Sequence, residues 1–427
     1  MKNFNKINGL IAPELNISDG ATLSGRFDIS KNEFSVLAQS NKIAYGDIVL
    51  TDWKLDGVTK DKSIILTSGA DKIKVTDSLF FDRFRLTSLS TDTTSDFSLA
   101  WSNSMRKKNS GDVSGKIFFQ NESFLIKLLR SDITIADSIW SIYGDGNSII
   151  VDTSGAIVIS DLNINNGEQE IKATGKISNN DNDLAHLEIT KFKLVQLNPL
   201  LSAAQMKLDG SVSGFCDLSG VFGKLILTSD FNFSKIHLND KELGGGKIKS
   251  FYDARRDVVG INGFLSKGNI LNGVEFKNIE FVGEYFPSRQ EDNLDVSANF
   301  KNFDITVIQP YLSGVITFAK QRGASIDGVV SVKGKISKPL VTGKINFSAK
   351  NFRIDYLNTI YTANGIIKLF PDKIQFGDDE AVFTKLPEPI TLSDKEGHEA
   401  ELWGNIFHDN FSITKLDFDI NAKNFQA

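Results

Sequence analysis

Three stretches of this sequence are versions of one another, and a chain built that way has few folds open to it. The first runs Ile171-Lys-Ala-Thr-Gly175, Leu184, Phe192-Lys-Leu-Val-Gln-Leu-Asn-Pro199-Leu-Leu-Ser202 and Leu208-Asp-Gly-Ser-Val-Ser213. The second runs Ile279-Glu-Phe-Val-Gly283, Leu294, Phe303-Asp-Ile-Thr-Val-Ile-Gln-Pro310-Tyr-Leu-Ser313 and Ile326-Asp-Gly-Val-Val-Ser331. The glycine, proline and Asp-Gly landmarks therefore recur at offsets of 108, 111 and 118. A third copy begins at Leu402-Trp-Gly404 and reaches Lys423-Asn-Phe425. Units of this kind bury their apolar faces against their neighbours, so the repeat predicts an extended, modular structure. We divide it at 1–165, 166–278, 279–399 and 400–427, the last being the start of a further repeat in a fragment of a longer protein.

Within the repeats the dominant local pattern is alternation. Leu416-Asp-Phe418-Asp-Ile420 sets three apolar side chains on one face and Lys415, Asp417, Asp419 and Asn421 on the other, the period of a strand with one dry and one wet face. Val330-Ser-Val332, Ile345-Asn-Phe347, Leu225-Ile-Leu227 and Phe231-Asn-Phe233 repeat the pattern. Turn residues punctuate these runs at Asn165-Asn-Gly167, Asn179 to Asp183, Asp240, Asn272-Gly273, Lys338-Pro339 and Asn364-Gly365, which fits hairpins and an antiparallel meander. Helix signals are confined to Pro199–Met206 and Pro310–Lys320, at matching places in two repeats, and predict short caps at module borders. The expected fold is all-β: a long antiparallel sheet of short strands curled into an open apolar groove, with a few short helices.

Composition narrows the function classes. Charged residues at 24% and hydrophobic ones at 41% exclude a disordered acidic chain and a multi-span helical membrane protein. No run approaches the roughly 20 apolar residues of a spanning helix, so any anchor is expected outside this sequence. A net charge of −5 with acids and bases interspersed argues against nucleic acid as a partner. Phenylalanine dominates the aromatic residues, 32 against 7 tyrosines and 4 tryptophans, and such surface has no polar handle to keep it wet.

Nothing in the sequence assembles a reaction centre. His186, His237, His398 and His408 lack a metal spacing, the acidic runs Asp378-Asp-Glu380 and Glu396 to Glu399 read as solvated loops, and Gly244-Gly-Gly246 reads as a strand bend. The single Cys216 has no partner for a disulfide or a zinc site and reads as a structural thiol. The expectation is a protein that is not an enzyme and needs no metal or cofactor. Function falls instead on the apolar stripes, whose lining candidates are Leu225, Leu227, Phe231, Phe233, Val330, Val332, Ile345, Phe347, Leu416, Phe418 and Ile420.

The segment Gly334-Lys-Ile-Ser-Lys-Pro339-Leu-Val-Thr-Gly343-Lys-Ile-Asn-Phe347, then Phe352-Arg-Ile-Asp-Tyr-Leu357 and Ala400-Glu-Leu-Trp-Gly404-Asn-Ile-Phe-His408-Asp-Asn-Phe411, resembles the C-terminal half of the TamB family. Trp140 to Gly175 is similar to it as well, and the likeness is to Bacteroidetes members of this branch of the AsmA-like superfamily. The resemblance implies a subunit of the translocation and assembly module in the periplasm, tethered to the inner membrane by an anchor that this sequence lacks. It implies phospholipid acyl chains as cargo in the groove, an outer-membrane assembly barrel as partner, and a role in lipid transport or outer-membrane protein assembly. The competing expectation is a structural or adhesive β repeat protein with a closed core and no lipid path.

Overall fold

The computed structural model describes residues 15–425 except 29, 32, 76–79, 104–108, 136, 145, 199–206, 272–273, 313–315, 319–322, 356–357, 380–386 and 411. These residues are all-β, in long antiparallel sheet. The chain divides into two compact units, Met1–Phe192 with Asp217–Gly223, and Lys193–Cys216 with Lys224–Ala427.

In the first unit, strands from Glu33–Tyr45 to Leu184–Lys193 pair antiparallel in succession. Two short strands, Ser123–Leu128 and Ser131–Ile135, share the long neighbour Ser110–Phe119. The break after Leu128 is filled by the buried Asn147, whose amide donates to the Leu128 and Tyr143 carbonyls at 3.0 Å and accepts the Leu128 N–H at 2.9 Å. A side chain thus supplies the ladder bonds that the interrupted strand cannot.

In the second unit the order is again sequential: Ile226–Leu238, Lys241–Asp253, Val258–Leu271, Val274–Tyr285, Leu294–Asp304, Ala324–Lys335, Lys338–Ile354 and Thr359–Leu369. The short Lys373–Phe376 and Ile390–Ser393 then share one position between Thr359–Leu369 and Glu399–Asp409, and Ser412–Ala422 follows.

Several strands in both units carry a bulge at a residue with left-handed backbone. Asp161, Lys235, Asn302 and Asn351 have φ between +46° and +53°, and the pairing register shifts at each. The next residue is always large and apolar: Leu162, Ile236, Phe303 or Phe352. A bulge bends its strand and resets the alternation, so residues three apart, such as Phe300 and Phe303, come to one face, where their rings lie 5.3 Å apart. Asn and Asp tolerate this backbone better than other non-glycine residues. The tripeptide Lys-Asn-Phe at 301–303, 350–352 and 423–425 puts Asn at φ +46°, +51° and +56°, a signal that alternation alone conceals.

The structure corrects four expectations. Among the described residues, helix comprises two 3-10 turns, Leu194–Leu197 and Ile305–Leu312, and Asn198, which follows the first of them in α-helical conformation. The turns stand 111 residues apart, as the repeat requires, but the second starts five residues before Pro310 because Asp304 supplies the cap, accepting from the Thr306 N–H at 3.0 Å and hydroxyl at 2.6 Å. The expected helix over 199–206 lies outside the described residues. Lys338-Pro339 opens a strand rather than making the turn, which falls at Ile336-Ser337; a strand's first residue is a place where proline fits. Asn364-Gly365 lies inside Thr359–Leu369, opposite Ser348 and Phe347. Leu225 precedes the strand that starts at Ile226, although its carbonyl still accepts the Ala254 N–H at 2.9 Å.

The Asp-Gly landmark has a structural reason. Gly210 and Gly328 have φ of +115° and +141°, and a Cβ on Gly328 would stand 2.2 Å from the Lys344 carbonyl oxygen. G328A is therefore expected to destabilise the second unit by about 2 kcal/mol or more, from backbone strain plus displacement of the next strand. Urea unfolding followed at Trp403 measures it.

Candidate functional site: one apolar face of the second unit

Residues directly opposed in an antiparallel ladder share a face, so the pairing registers trace rows of side chains across the sheet. One row runs Phe231, Ile248, Gly263, Phe281, Ala298, Val330, Gly343, Leu369, Ile374, Ile406 and Leu416. Its neighbour runs Phe233, Gly246, Leu265, Ile279, Phe300, Gly328, Ile345, Ile367, Phe376, Gly404 and Phe418. Neither row contains a polar side chain. Shorter rows place Leu227 beside Tyr252, Val332 beside Val296 and Val341, Phe347 beside Ile326, and Ile420 beside Leu402. Of the eleven stripe residues picked from sequence, ten thus lie on one face; Leu225 is outside the ladder.

Glycines alternate with rings along these rows for a steric reason. A Cβ on Gly263 would stand 2.8 Å from the Phe281 ring, and one on Gly404 would stand 2.4 Å from that of Phe418. Each ring lies over backbone that a side chain would otherwise occupy.

Cover differs along this face. From Ile226–Leu238 to Leu294–Asp304, Leu227, Phe231, Phe233, Ile248, Phe281 and Val296 are half-buried. Further on, Ile326, Ile345, Ala349, Phe352, Tyr361, Ile367, Ile390 and Ala400 are buried in one cluster with Phe318, and Phe347 and Val330 pack against it. Ile345, read from sequence as groove lining, retains 7% of its exposure and belongs to a closed core there. At the far end Leu416, Phe418 and Ile420 are exposed again, with Phe418 edge-on to Phe376 at 5.6 Å.

The opposite face is polar. Its central row runs Asn232, Lys247, Phe264, Glu280, Asn299, Val329, Lys344, Lys368, Gln375, Asn405 and Asp417. Asp230 meets Lys247 at 2.9 Å and Lys249 at 3.4 Å, and Glu280 meets Lys277 at 2.8 Å. The hydrogen bond from Lys247 holds the Asp230 carboxyl below the usual carboxylate range, and that from Lys277 does the same for Glu280. Exposed pairs of this kind contribute about 0–1 kcal/mol each, so they keep this face in water more than they hold the fold together.

One charged group on this side is not a surface pair. The register sets Lys344 directly opposite Lys368, a like-charge contact that would oppose pairing. Asp378 bridges the two, 2.6 Å from Lys344 and 2.7 Å from Lys368. Read from sequence as part of a solvated loop, Asp378 retains 2% of its exposure and Lys368 6%.

The first unit has a comparable but more mixed face. Val36, Gly57, Leu66, Ser88, Phe97, Gly115 and Leu128 form one row, and Ile117, Ile126, Ile149 and Ile159 belong to another. Serines interrupt the stripe. His186 Nδ1 lies 2.5 Å from Asp217 Oδ1, and His398 Nδ1 lies 3.1 Å from the Asp394 carboxylate. Among the described residues no three metal-ligating side chains are gathered. No protein-family description, curated protein or solved structure matches the chain.

Proposed function

We infer that this chain is a section of a TamB-like, bridge-type β protein whose apolar face holds phospholipid acyl chains in the periplasm. The observation that carries the reading is the pair of uninterrupted apolar rows from Phe231 to Leu416 and from Phe233 to Phe418, backed by a polar reverse face. Such a surface binds acyl chains without hydrogen-bond specificity, at about 0.8 kcal/mol per buried methylene, and leaves head groups to water. The lipid would lie along the half-buried part, Leu227 to Val296, rather than over Ile345. An outer-membrane assembly barrel as partner, an inner-membrane tether, and a part in outer-membrane protein assembly follow from the same resemblance and stand or fall separately. No catalytic role and no cofactor belong to this reading.

A second reading has its own support. The closed cluster around Ile345 and Ala349 is what a structural or adhesive β repeat protein with a dry core would have. Mass spectrometry of lipid co-purifying with the chain separates the two. Phospholipid is expected at near-stoichiometric amounts, falling several-fold in F231D/F233D, because a charge in an acyl path is costly to desolvate. N232D, on the wet face, should change nothing. A folded wild-type chain free of lipid, and unable to take it from vesicles, would favour the closed-core reading.

A further inference from the structure

From Ile226–Leu238 to Leu294–Asp304 the aromatic residues of the apolar face change type with position. The two inner rows carry phenylalanine only, Phe231 and Phe281 in one and Phe233 and Phe300 in the other. The outer row, where the strands end, runs Leu227, Tyr252, Val259, Tyr285 and Leu294. Its two tyrosines stand on alternate strands, about 10 Å apart, and are half-buried. Neither hydroxyl has a hydrogen-bond partner among the described residues, and neither is enclosed. Tyrosine suits a place where the ring is dry and its tip is wet.

Beyond each tyrosine the chain turns, at 254–257 and 286–293, and the two turns are fixed to each other. Asp257 accepts the Ser288 N–H and hydroxyl, both at 3.0 Å. Asp253 meets Arg255 at 3.5 Å and Glu291 meets Lys335 at 2.9 Å, which leaves Asp292 as the remaining acid. Two guanidiniums are also left. Arg256 and Arg289 are exposed and have no ion pair among the described residues, and Arg289 lies 3.6 Å from the Phe286 ring centre.

The depth of the face suits a lipid. Leu227 in the outer row and Phe233 in the innermost are six residues apart, about 20 Å along a strand. An acyl chain in one leaflet spans about 15 Å, half the hydrocarbon thickness of a bilayer. A chain laid along the strands with its ester end at the tyrosines therefore fits within the face.

We propose that this margin is a subsite for the phosphate of a glycerophospholipid, with Arg256 and Arg289 meeting its charge and the Tyr252 and Tyr285 hydroxyls donating to its oxygens. The proposal rests on the reading that the face holds acyl chains. The apolar rows treat any acyl lipid alike, and only the margin can tell a phospholipid from a neutral lipid with the same chains. Guanidinium suits the task because its planar fork sets two N–H groups against two phosphate oxygens.

The test offers the full chain vesicles of dioleoyl phosphatidylcholine doped with dioleoylglycerol. Mass spectrometry then quantifies the lipid carried by the re-isolated chain, relative to the vesicle composition. Enrichment of the phospholipid by about tenfold is expected, the size of one charge-assisted hydrogen bond. R256A/R289A and Y252F/Y285F, which leave the apolar rows in place, should each bring that ratio several-fold closer to one while dioleoylglycerol uptake stays as in the wild type. Equal uptake of both lipids by the wild-type chain, or an enrichment that both variants keep, would overturn the subsite and leave the acyl-chain reading standing. Uptake of neither lipid would overturn that reading, and the subsite with it. Saturable binding of inorganic phosphate to the lipid-free chain, lost in R256A/R289A, would make the margin a site for free phosphate and overturn its assignment to lipid.

Discussion

D378A is expected to lower the unfolding free energy of the second unit by about 3–5 kcal/mol, a large effect for one substitution in a sheet of mostly exposed ion pairs. Removing the carboxylate takes from Lys368, 6% exposed, the acid 2.7 Å away, leaves the more distant Asp379 at 3.8 Å, and keeps Lys368 directly opposite Lys344. The pair itself is worth much less than this figure, because desolvation offsets most of its Coulomb attraction. D378A/K368M should therefore recover most of the loss. Urea titration read at Trp403, in the second unit, measures both variants; a double variant as unstable as D378A would mean that Asp378 acts through some contact other than these lysines.

The second large effect distinguishes covered from uncovered parts of the apolar face. I345D is expected to destabilise by on the order of 4 kcal/mol or more, since it removes a packed side chain from the cluster with Ile326, Ile367 and Ile390 and puts an unpaired carboxylate there. L416D lies on the same row system but at an exposed position, and should cost less than about 1 kcal/mol. F231D and F233D should fall between these limits. Comparable losses at Ile345 and Leu416 would show that cover does not vary along the face as described.

Much of this was legible from residues alone, because it depends on local periodicity. Alternation at Phe231-Asn-Phe233, Ile345-Asn-Phe347 and Leu416 to Ile420 placed these side chains on dry faces, and successive pairing made those faces one. The 111-residue offset between Pro199 and Pro310 is also the offset between the two 3-10 turns, although the first turn precedes the expected helix and residues 199–206 lie outside the described ones. The bulges were not legible, since Asn302 and Asn351 take a left-handed backbone only where a ladder slips by one residue, and a slip turns the next side chain to the face that alternation forbids. That is why Phe303 and Phe352 escaped the list of stripe residues.

Period-two patterning and repetition dictated an all-β chain whose patterned strands have one apolar side. They could not say how dry. Burial is set by what lies across the sheet, and the partners of Ile345 extend from Phe318 to Ala400 along the chain, beyond the reach of any local window. The same holds for Asp378, which reads as a loop acid until the pairing of Lys338–Ile354 with Thr359–Leu369 brings two lysines face to face and makes a carboxylate between them the cheapest arrangement.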